Sequence, residues 1–279
     1  MTESVKLVTF LDLIFIIMLV ISGSLGGIAS EIVYYFAFIV PVAVGIYASG
    51  SLRYKREEER GIADPPDTTL DFDKNRLVRL ASLIFPAVTL IFLCSLLTSF
   101  VLSLVGASSP TVEEEGIISM LLAHALVPAI FEEALFRYIP IKLLLPYSKR
   151  FTVVYSALCF ALIHCSLYQI PYAFVAGIIF MLIDVALGSV WPSVILHFIN
   201  NAASVVSIKY CSDPTASLIF VLALIALSLV SLIFIFRKRK EYKRIFMSSF
   251  DGGEKCDLTY APIALVAITL YLSFLNLFS

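Results

Sequence analysis

The sequence contains few charged residues. Asp, Glu, Lys and Arg make up 15% of its 279 residues, whereas hydrophobic residues make up 60%. A soluble globular domain is about one quarter charged and closer to half apolar. The mean hydropathy of +0.96 shows the same imbalance. The composition therefore excludes an ordinary soluble domain and predicts an integral membrane protein.

The alternating pattern of β-strands is missing as well. Only helices and closed β-barrels satisfy their backbone hydrogen bonds within a bilayer, and barrel strands alternate throughout. We therefore predict an all-α fold: a polytopic membrane helical bundle of about eight transmembrane helices, with a ninth as an open alternative. These spans form a single integral membrane domain over 1–279. They lie near residues 7–25, 32–50, 80–105, 117–145, 151–169, 170–188, 192–210, 216–236 and 260–279.

Cysteine pairs and processing signals are also lacking. No two cysteines form a CxxC pair or a metal-ligand spacing, so we predict buried free thiols. The first apolar run has no signal-peptide cleavage pattern, and we expect it to be retained. The C-terminal residues Asn276 to Ser279 include no Cys, so prenylation of the chain itself is not expected there.

The charges that are present are segregated along the chain. Basic residues follow the even-numbered spans, and they mark the cytoplasmic side of a membrane protein. We therefore predict a multi-pass protein with a cytoplasmic N-terminus and with the acidic stretch Glu113 to Glu115 on the other side. The basic residues concerned are Arg53, Lys55, Arg56, Arg60, Lys74, Arg76, Arg79, Lys149, Arg150, Arg237, Lys238, Arg239, Lys240, Lys243 and Arg244.

Two adjacent carboxylates and an arginine interrupt the fourth apolar run. Glu132, Glu133 and Arg137 lie within residues 117–145, a stretch long enough to cross a bilayer. Charges at bilayer depth are energetically costly and usually face a protein-lined functional cavity. Glu133 and Arg137 are four residues apart on one helix face and can pair. Glu132 is rotated from Glu133 by roughly 100° and stays available for other chemistry.

Two later helices carry polar residues at helical spacing, as Phe160-x-x-x-His164 and His197-x-x-x-Asn201. Taken singly, a His or Asn in a membrane helix more often packs or bonds to a neighbouring helix. Glu132 and His164, however, both lie about 20 Å along their helices from the basic loops, and His197 is shallower. We therefore expect these helices to bring Glu132, His164, His197 and Asn201 to one cavity.

Three further residues of the apolar spans are interpreted without a catalytic role. Pro128 cannot donate to the carbonyl of His124 and should bend the helix one turn before Glu132. We interpret His124 itself as a packing residue. Asp184 lies close to the end of a span, where we expect it to reach the membrane interface.

The three motifs together resemble those of the CAAX-protease and bacteriocin-processing (CPBP, or Abi) family, which includes the type II CAAX prenyl endopeptidases. They are Glu132-Glu133-x-x-x-Arg137, Phe160-x-x-x-His164 and His197-x-x-x-Asn201, in that order on successive helices. The approach to the third motif, residues 188–201, is similar too. The resemblance covers a motif-bearing core of about residues 115–205.

The resemblance implies an intramembrane glutamate protease whose cavity opens to the cytoplasm. Glu132 would activate a water, and His164 would hold and polarise that water. His197 and Asn201 would stabilise the oxyanion, with Glu133 and Arg137 in supporting roles. No metal or other cofactor is implied. The expected partners are the lipid bilayer and a membrane-associated peptide or lipid-modified protein substrate, prenylated and CAAX-like or otherwise, and no nucleic acid.

Two other functions stay open at this point. One carboxylate and two imidazoles could form a three-ligand zinc site of a metalloprotease, although HExxH is absent and His197 is paired with Asn201. The same polar residues could instead serve a non-catalytic membrane scaffold or the proton relay of a transporter. Serine and aspartyl intramembrane proteases need motifs that the sequence does not contain.

Overall fold

Helices make up every regular element in the part of the chain that the structure describes. The structure is a computed structural model that describes residues 2–60, 74–104, 116–211 and 213–248. The predicted all-α bundle is confirmed within these ranges, which contain no strand. Glu113 to Glu115 and the ninth predicted span, 260–279, lie outside the described residues. The helices are α1 Thr2–Ser24, α2 Gly27–Arg60, α3 Lys74–Leu104, α4 Ile117–Leu143, α5 Lys149–Leu162, α6 Ile170–Leu187, α7 Trp191–Tyr210, α8 Pro214–Arg237 and α9 Arg239–Ser248.

Six of the helices in the described ranges are long and apolar enough to cross a membrane, namely α1, α2, α3, α4, α6 and α8. The spans predicted near 151–169 and 192–210 correspond to α5 and α7, which do not meet that standard. α5 has 14 residues, so it is about 21 Å long against a hydrocarbon core of about 30 Å. The chain turns just after it, where Cys165 has a φ of 45°. α7 is long enough, but its polar residues lower its hydropathy.

The basic residues of the helix termini gather at one end of the bundle. α2 and α8 end there, and α3 and α5 begin there. Arg79 near the start of α3 pairs with Glu241 of α9 at 2.7 Å. Thr9 in the first half of α1 shares a hydrogen bond with Tyr155 in the first half of α5. We call this end the basic end, and we call the end where α4 begins and α7 ends the opposite end.

Aromatic side chains join the α1–α2 hairpin to the helices that carry the motifs. The ring of Phe15 on α1 lies 5.0 Å from that of Phe38 on α2 and 6.2 Å from that of Phe136 on α4. Phe136 in turn contacts Phe160 of α5, with 5.8 Å between the ring centroids. These edge-on contacts are favourable for aromatic pairs. They build one continuous core that holds α4 and α5 in a fixed relative position.

The contact between α5 and α6 depends on a glycine. A Cβ placed on Gly177 would lie 2.8 Å from the Cα of Ala157 and 2.9 Å from its Cβ. We expect Gly177→Ala to push α5 and α6 apart and to lower the free energy of unfolding by about 1–3 kcal/mol. Thermal unfolding in detergent measures the change.

Gly50 of α2 provides the matched control for this substitution. A Cβ at Gly50 would meet nothing within 4 Å. Because Ala favours helix over Gly, we expect Gly50→Ala to raise the free energy of unfolding by up to about 1 kcal/mol. A Gly177→Ala protein that unfolds no earlier than the native chain would contradict the close approach of α5 and α6.

Candidate active site

α4 is irregular on both sides of its two glutamates. An α-helical segment, Val127–Glu133, lies between π-helical turns at Leu121–Leu126 and Ala134–Tyr138. Such π turns are rare and occur frequently at functional sites. The first of them precedes Pro128, whose missing N–H leaves the carbonyl of His124 without its usual donor. The two glutamates are therefore presented from a locally distorted helix.

The carbonyl of His124 accepts a hydrogen bond from another helix instead. The side-chain amide nitrogen Nδ2 of Asn201 on α7 lies 3.1 Å from it. Asn201 thus links α7 to the point where Pro128 interrupts the hydrogen bonding of α4. His124 was predicted to pack in the bundle, but its side chain is exposed and lines a cavity. The packing interpretation of His124 was wrong, because the side chain is exposed at the cavity and is not buried in the bundle.

Glu133 and Arg137 form the predicted ion pair. Nε of Arg137 lies 3.1 Å from Oε2 of Glu133, and both side chains are fully buried. The guanidinium also lies 4.2 Å from the centroid of the Phe160 ring, at a distance where cation–π attraction operates. Buried charges are tolerated when they are paired in this way. The pair and the ring offset part of the cost of placing the arginine within the bundle, where its three guanidinium nitrogens have no hydrogen-bond partner among the described residues.

The second oxygen of Glu133 contacts His197, which the sequence had not indicated. Nδ1 of His197 lies 2.7 Å from Oε1 of Glu133. With Glu133 ionised beside Arg137, Nδ1 donates this hydrogen bond, and the imidazole is held in one orientation. A carboxylate that fixes the tautomer of a histidine in this way sets which ring nitrogen is left for chemistry. In this chain that nitrogen is Nε2.

Glu132 is separated from this ion pair and faces a cavity. Its Oε2 lies 3.9 Å from Nε2 of His197, which is too far for a hydrogen bond. The oxygen is buried and has no hydrogen-bond partner among the described residues. Glu132 lines the cavity and Glu133 does not. The two adjacent carboxylates therefore have different surroundings, as the helix rotation predicts.

The cavity has a volume of about 440 Å³ and brings the four predicted residues together. This size lies within the range of ligand-binding pockets. His164 sits just after the end of α5, where its Nδ1 is 2.8 Å from the carbonyl of Phe160 and leaves Nε2 for the cavity. Several polar residues of the lining were not predicted from the sequence. Two of them lie on α7, and their helical spacing from His197 and Asn201 could have indicated them. The four residues that line the cavity as predicted are Glu132, His164, His197 and Asn201, and the missed ones are Gln169, Tyr172, Asn200 and Ser204.

The cavity extends from Glu132 toward the opposite end of the bundle. On α4 it is lined by residues at intervals of four, from Glu132 back to Met120 near the start of the helix. On α7 the lining runs from His197 to Ile208, near the end of that helix. On the basic-end side of Glu132 lie Phe136 and Arg137, whose side chains have no exposed surface. Glu132 and His197 therefore lie at the floor of the cavity.

Residues 114–203 match the family model described as type II CAAX prenyl endopeptidase Rce1-like. This part of the chain is similar to the Rce1-like family. The matched range contains all three motifs, so the resemblance predicted from them is confirmed. No curated protein and no solved structure matches the chain. At a coarse level the family supports a membrane endopeptidase of the CAAX type with a peptide substrate, and the apolar helices support an integral membrane protein.

The matched range contains one further buried acid. Asp184 at the end of α6 has only 1% of its surface exposed, so the prediction that it reaches the interface was wrong. Its Oδ1 accepts a hydrogen bond from the backbone N–H of Ser193 at 2.9 Å. This N–H belongs to the first turn of α7 and lacks a partner within the helix. Asp184 therefore fixes the start of α7 one turn before His197.

The arrangement of these side chains around the cavity suits acid–base chemistry. A buried carboxylate without a partner, beside the free nitrogen of an oriented imidazole, can accept and return a proton. The amide of Asn201 adds a neutral donor at the same cavity. No three His, Cys, Asp or Glu side chains within the described ranges are grouped as the ligands of a metal ion would be.

Proposed function

We propose that this chain is an intramembrane glutamate-type endopeptidase that hydrolyses a peptide bond of a membrane-associated or prenylated, CAAX-like substrate. The observation that carries the proposal is the unpartnered Oε2 of Glu132, which faces a cavity shared with His164, His197 and Asn201. The match of residues 114–203 to the Rce1-like family supports the same chemistry.

Glu132 acts as the general base in this mechanism. Its carboxylate removes a proton from a water, and the oxygen of that water bonds to the carbonyl carbon of the substrate. Nε2 of His164 holds the water in line with the carbonyl. The tetrahedral intermediate then collapses with cleavage of the C–N bond, and the proton held by Glu132 passes to the leaving amine. Proton transfers by a positioned side chain typically contribute about 10²–10⁴ in rate.

His197 and Asn201 stabilise the oxyanion. One N–H of the Asn201 amide is donated to the carbonyl of His124, and the second is directed to the substrate. Nδ1 of His197 is committed to Glu133, so Nε2 donates to the oxyanion when His197 is in its imidazolium form. Fixed donors of this kind are most effective where water is scarce.

Glu133 and Arg137 support the site without touching the substrate. Glu133 contacts both Arg137 and His197, and neither Glu133 nor Arg137 lines the cavity. Their role in this proposal is to hold the imidazole of His197 in one orientation and to prevent Glu133 from competing with Glu132 for the water.

The purified chain in detergent is expected to cleave a farnesylated CAAX peptide or a membrane-inserted peptide, and mass spectrometry of the products locates the bond. Cleavage should persist after stringent metal chelation, because the proposed base is a carboxylate. Loss of cleavage on chelation, with recovery on adding Zn²⁺, would support the metalloprotease instead. Failure to cleave any of a broad panel of such peptides would favour the scaffold or the proton-relay transporter.

A further inference from the structure

A groove of about 820 Å³ lies at the basic end, in the corner where α8 ends and α9 begins. Four large apolar residues of α8 form its wall at helical spacing, and each is between 46% and 66% exposed. They are Leu229, Leu232, Ile233 and Phe236. The wall extends for about 10 Å along the helix, which is roughly two thirds of one leaflet of a hydrocarbon core about 30 Å thick. An acyl chain can therefore lie along it.

Two arginines lie at one end of this groove. Arg237 is the last residue of α8 and Arg239 is the first residue of α9, and both line the groove. The guanidinium of Arg239 lies 4.9 Å from the centroid of the Phe236 ring, at a distance where cation–π attraction operates. The other described lining residues are uncharged. The groove is therefore apolar along its length and cationic at its end.

The two helices that form the groove supply no carboxylate to these arginines. α8 contains no Asp or Glu, and the single acid of α9, Glu241, pairs with Arg79 of α3 at 2.7 Å. Four more exposed cations lie close to the arginines along the chain, namely Lys238, Lys240, Lys243 and Arg244. Like charges crowded in this way repel one another, and a bound anion relieves the repulsion.

Contacts with α3 hold both helices of the groove in place. The hydroxyl of Thr89 on α3 donates a hydrogen bond of 3.1 Å to the carbonyl of Leu224 on α8. Ser82, two turns earlier on α3, shares a hydrogen bond with the buried Tyr242 of α9. The groove is therefore formed before a ligand arrives, and a preorganised site loses less free energy to ordering when it binds.

From these observations we infer that the corner between α8 and α9 is a binding site for an anionic glycerophospholipid. The guanidinium groups of Arg237 and Arg239 hold the phosphate, because their planar sets of donors match phosphate oxygens. One acyl chain lies along Leu229, Ile233 and Phe236. A zwitterionic lipid binds less tightly, because the cation of its headgroup is repelled by the exposed lysines and arginines nearby.

The surroundings of the groove favour a lipid over a soluble phosphate. α8 is apolar enough to cross a membrane, and only 6% of its apolar window is buried inside the bundle. The wall of the groove therefore faces hydrocarbon, where a soluble anion does not enter. The groove shares no described lining residue with the active-site cavity, so the inference does not rest on the proposed proteolytic function.

Native mass spectrometry of the purified chain in mild detergent tests the site. Dioleoyl phosphatidylglycerol and dioleoyl phosphatidylcholine are titrated separately, and the occupancy of the first bound lipid is measured. A cation near an anionic lipid surface is worth about fivefold in affinity, so two arginines should give phosphatidylglycerol an advantage of roughly 20–30-fold. The double variant Arg237→Gln, Arg239→Gln should lose this advantage. Both side chains are exposed, so its unfolding temperature should match that of the native chain.

The double variant Lys243→Gln, Arg244→Gln is the matched control, because it removes two exposed cations of α9 that do not line the groove. It should keep the preference for phosphatidylglycerol. Equal losses in the two double variants would show a diffuse attraction to positive charge and would overturn the site. Equal binding of both lipids by the native chain would overturn it too. Displacement of the lipid by glycerol 3-phosphate at the same concentration would show a phosphate site to which the acyl chain adds nothing, again against the inference.

Discussion

Glu132→Gln is expected to abolish peptide-bond cleavage while the protein stays folded. Gln keeps the size of the side chain but cannot take a proton from water at neutral pH, so the rate should fall by about 10²–10⁴. Oε2 of Glu132 has no hydrogen-bond partner among the described residues and lies 3.9 Å from Nε2 of His197, so the substitution removes no hydrogen bond of that oxygen. Initial rates of peptide cleavage in detergent, measured together with the unfolding temperature, give both quantities.

Glu31→Gln is the matched control for this experiment. Glu31 is an exposed carboxylate near the start of α2, and it does not line the cavity. Its replacement should leave the rate and the unfolding temperature unchanged. If Glu132→Gln cleaves the substrate at the native rate, Glu132 is not the base. If a cellular phenotype of the protein also persists in that variant, the scaffold and transporter hypotheses gain support.

Arg137→Met is expected to have the largest effect on stability. It leaves the carboxylate of Glu133 buried without its cation, and breaking a buried ion pair in this way costs about 3–5 kcal/mol. The loss also removes the guanidinium from the ring of Phe160, 4.2 Å away. Thermal unfolding in detergent should show a large fall in the unfolding temperature. Peptide cleavage should fall with it, because the carboxylate that contacts Nδ1 of His197 loses the cation that holds its other oxygen.

Two further variants test whether the effect of Arg137→Met comes from the loss of the buried ion pair. Arg79→Met breaks the partly exposed pair of Arg79 and Glu241, and its cost should not exceed about 1 kcal/mol. The double variant Glu133→Gln, Arg137→Met removes both charges and should recover part of the lost stability. Equal effects of Arg137→Met and Arg79→Met would show that the buried pair does not carry the stability assigned to it.

The features that the sequence predicted correctly depend on local spacing or on composition. The helical membrane bundle follows from long apolar runs, whose burial in lipid requires internal backbone hydrogen bonding. The pairing of Glu133 with Arg137 follows from their separation by four residues on one helix. The different orientation of Glu132 follows from the same geometry. None of these predictions needs knowledge of how the helices cross.

The features that the sequence did not predict depend on contacts between helices. His197 bonds to Glu133 because α7 crosses α4 at that height, and the amide of Asn201 reaches the carbonyl of His124 for the same reason. The burial of Asp184 requires the first turn of α7 to lie beside the end of α6. The early end of α5 is equally hard to foresee, because the apolar run continues past the turn at Cys165.

The closed floor of the cavity has a consequence for turnover. In the proposed protease, a cavity that the described residues close at its floor would release both fragments of a cleaved peptide along the route by which the substrate arrived. The fragment held deepest, beside Glu132 and His197, can leave only after the outer fragment has gone. Product dissociation in the proposed reaction would then be ordered, and we expect this step rather than bond cleavage to limit the turnover rate. Short peptides that mimic the inner fragment would occupy the same floor and compete with the substrate.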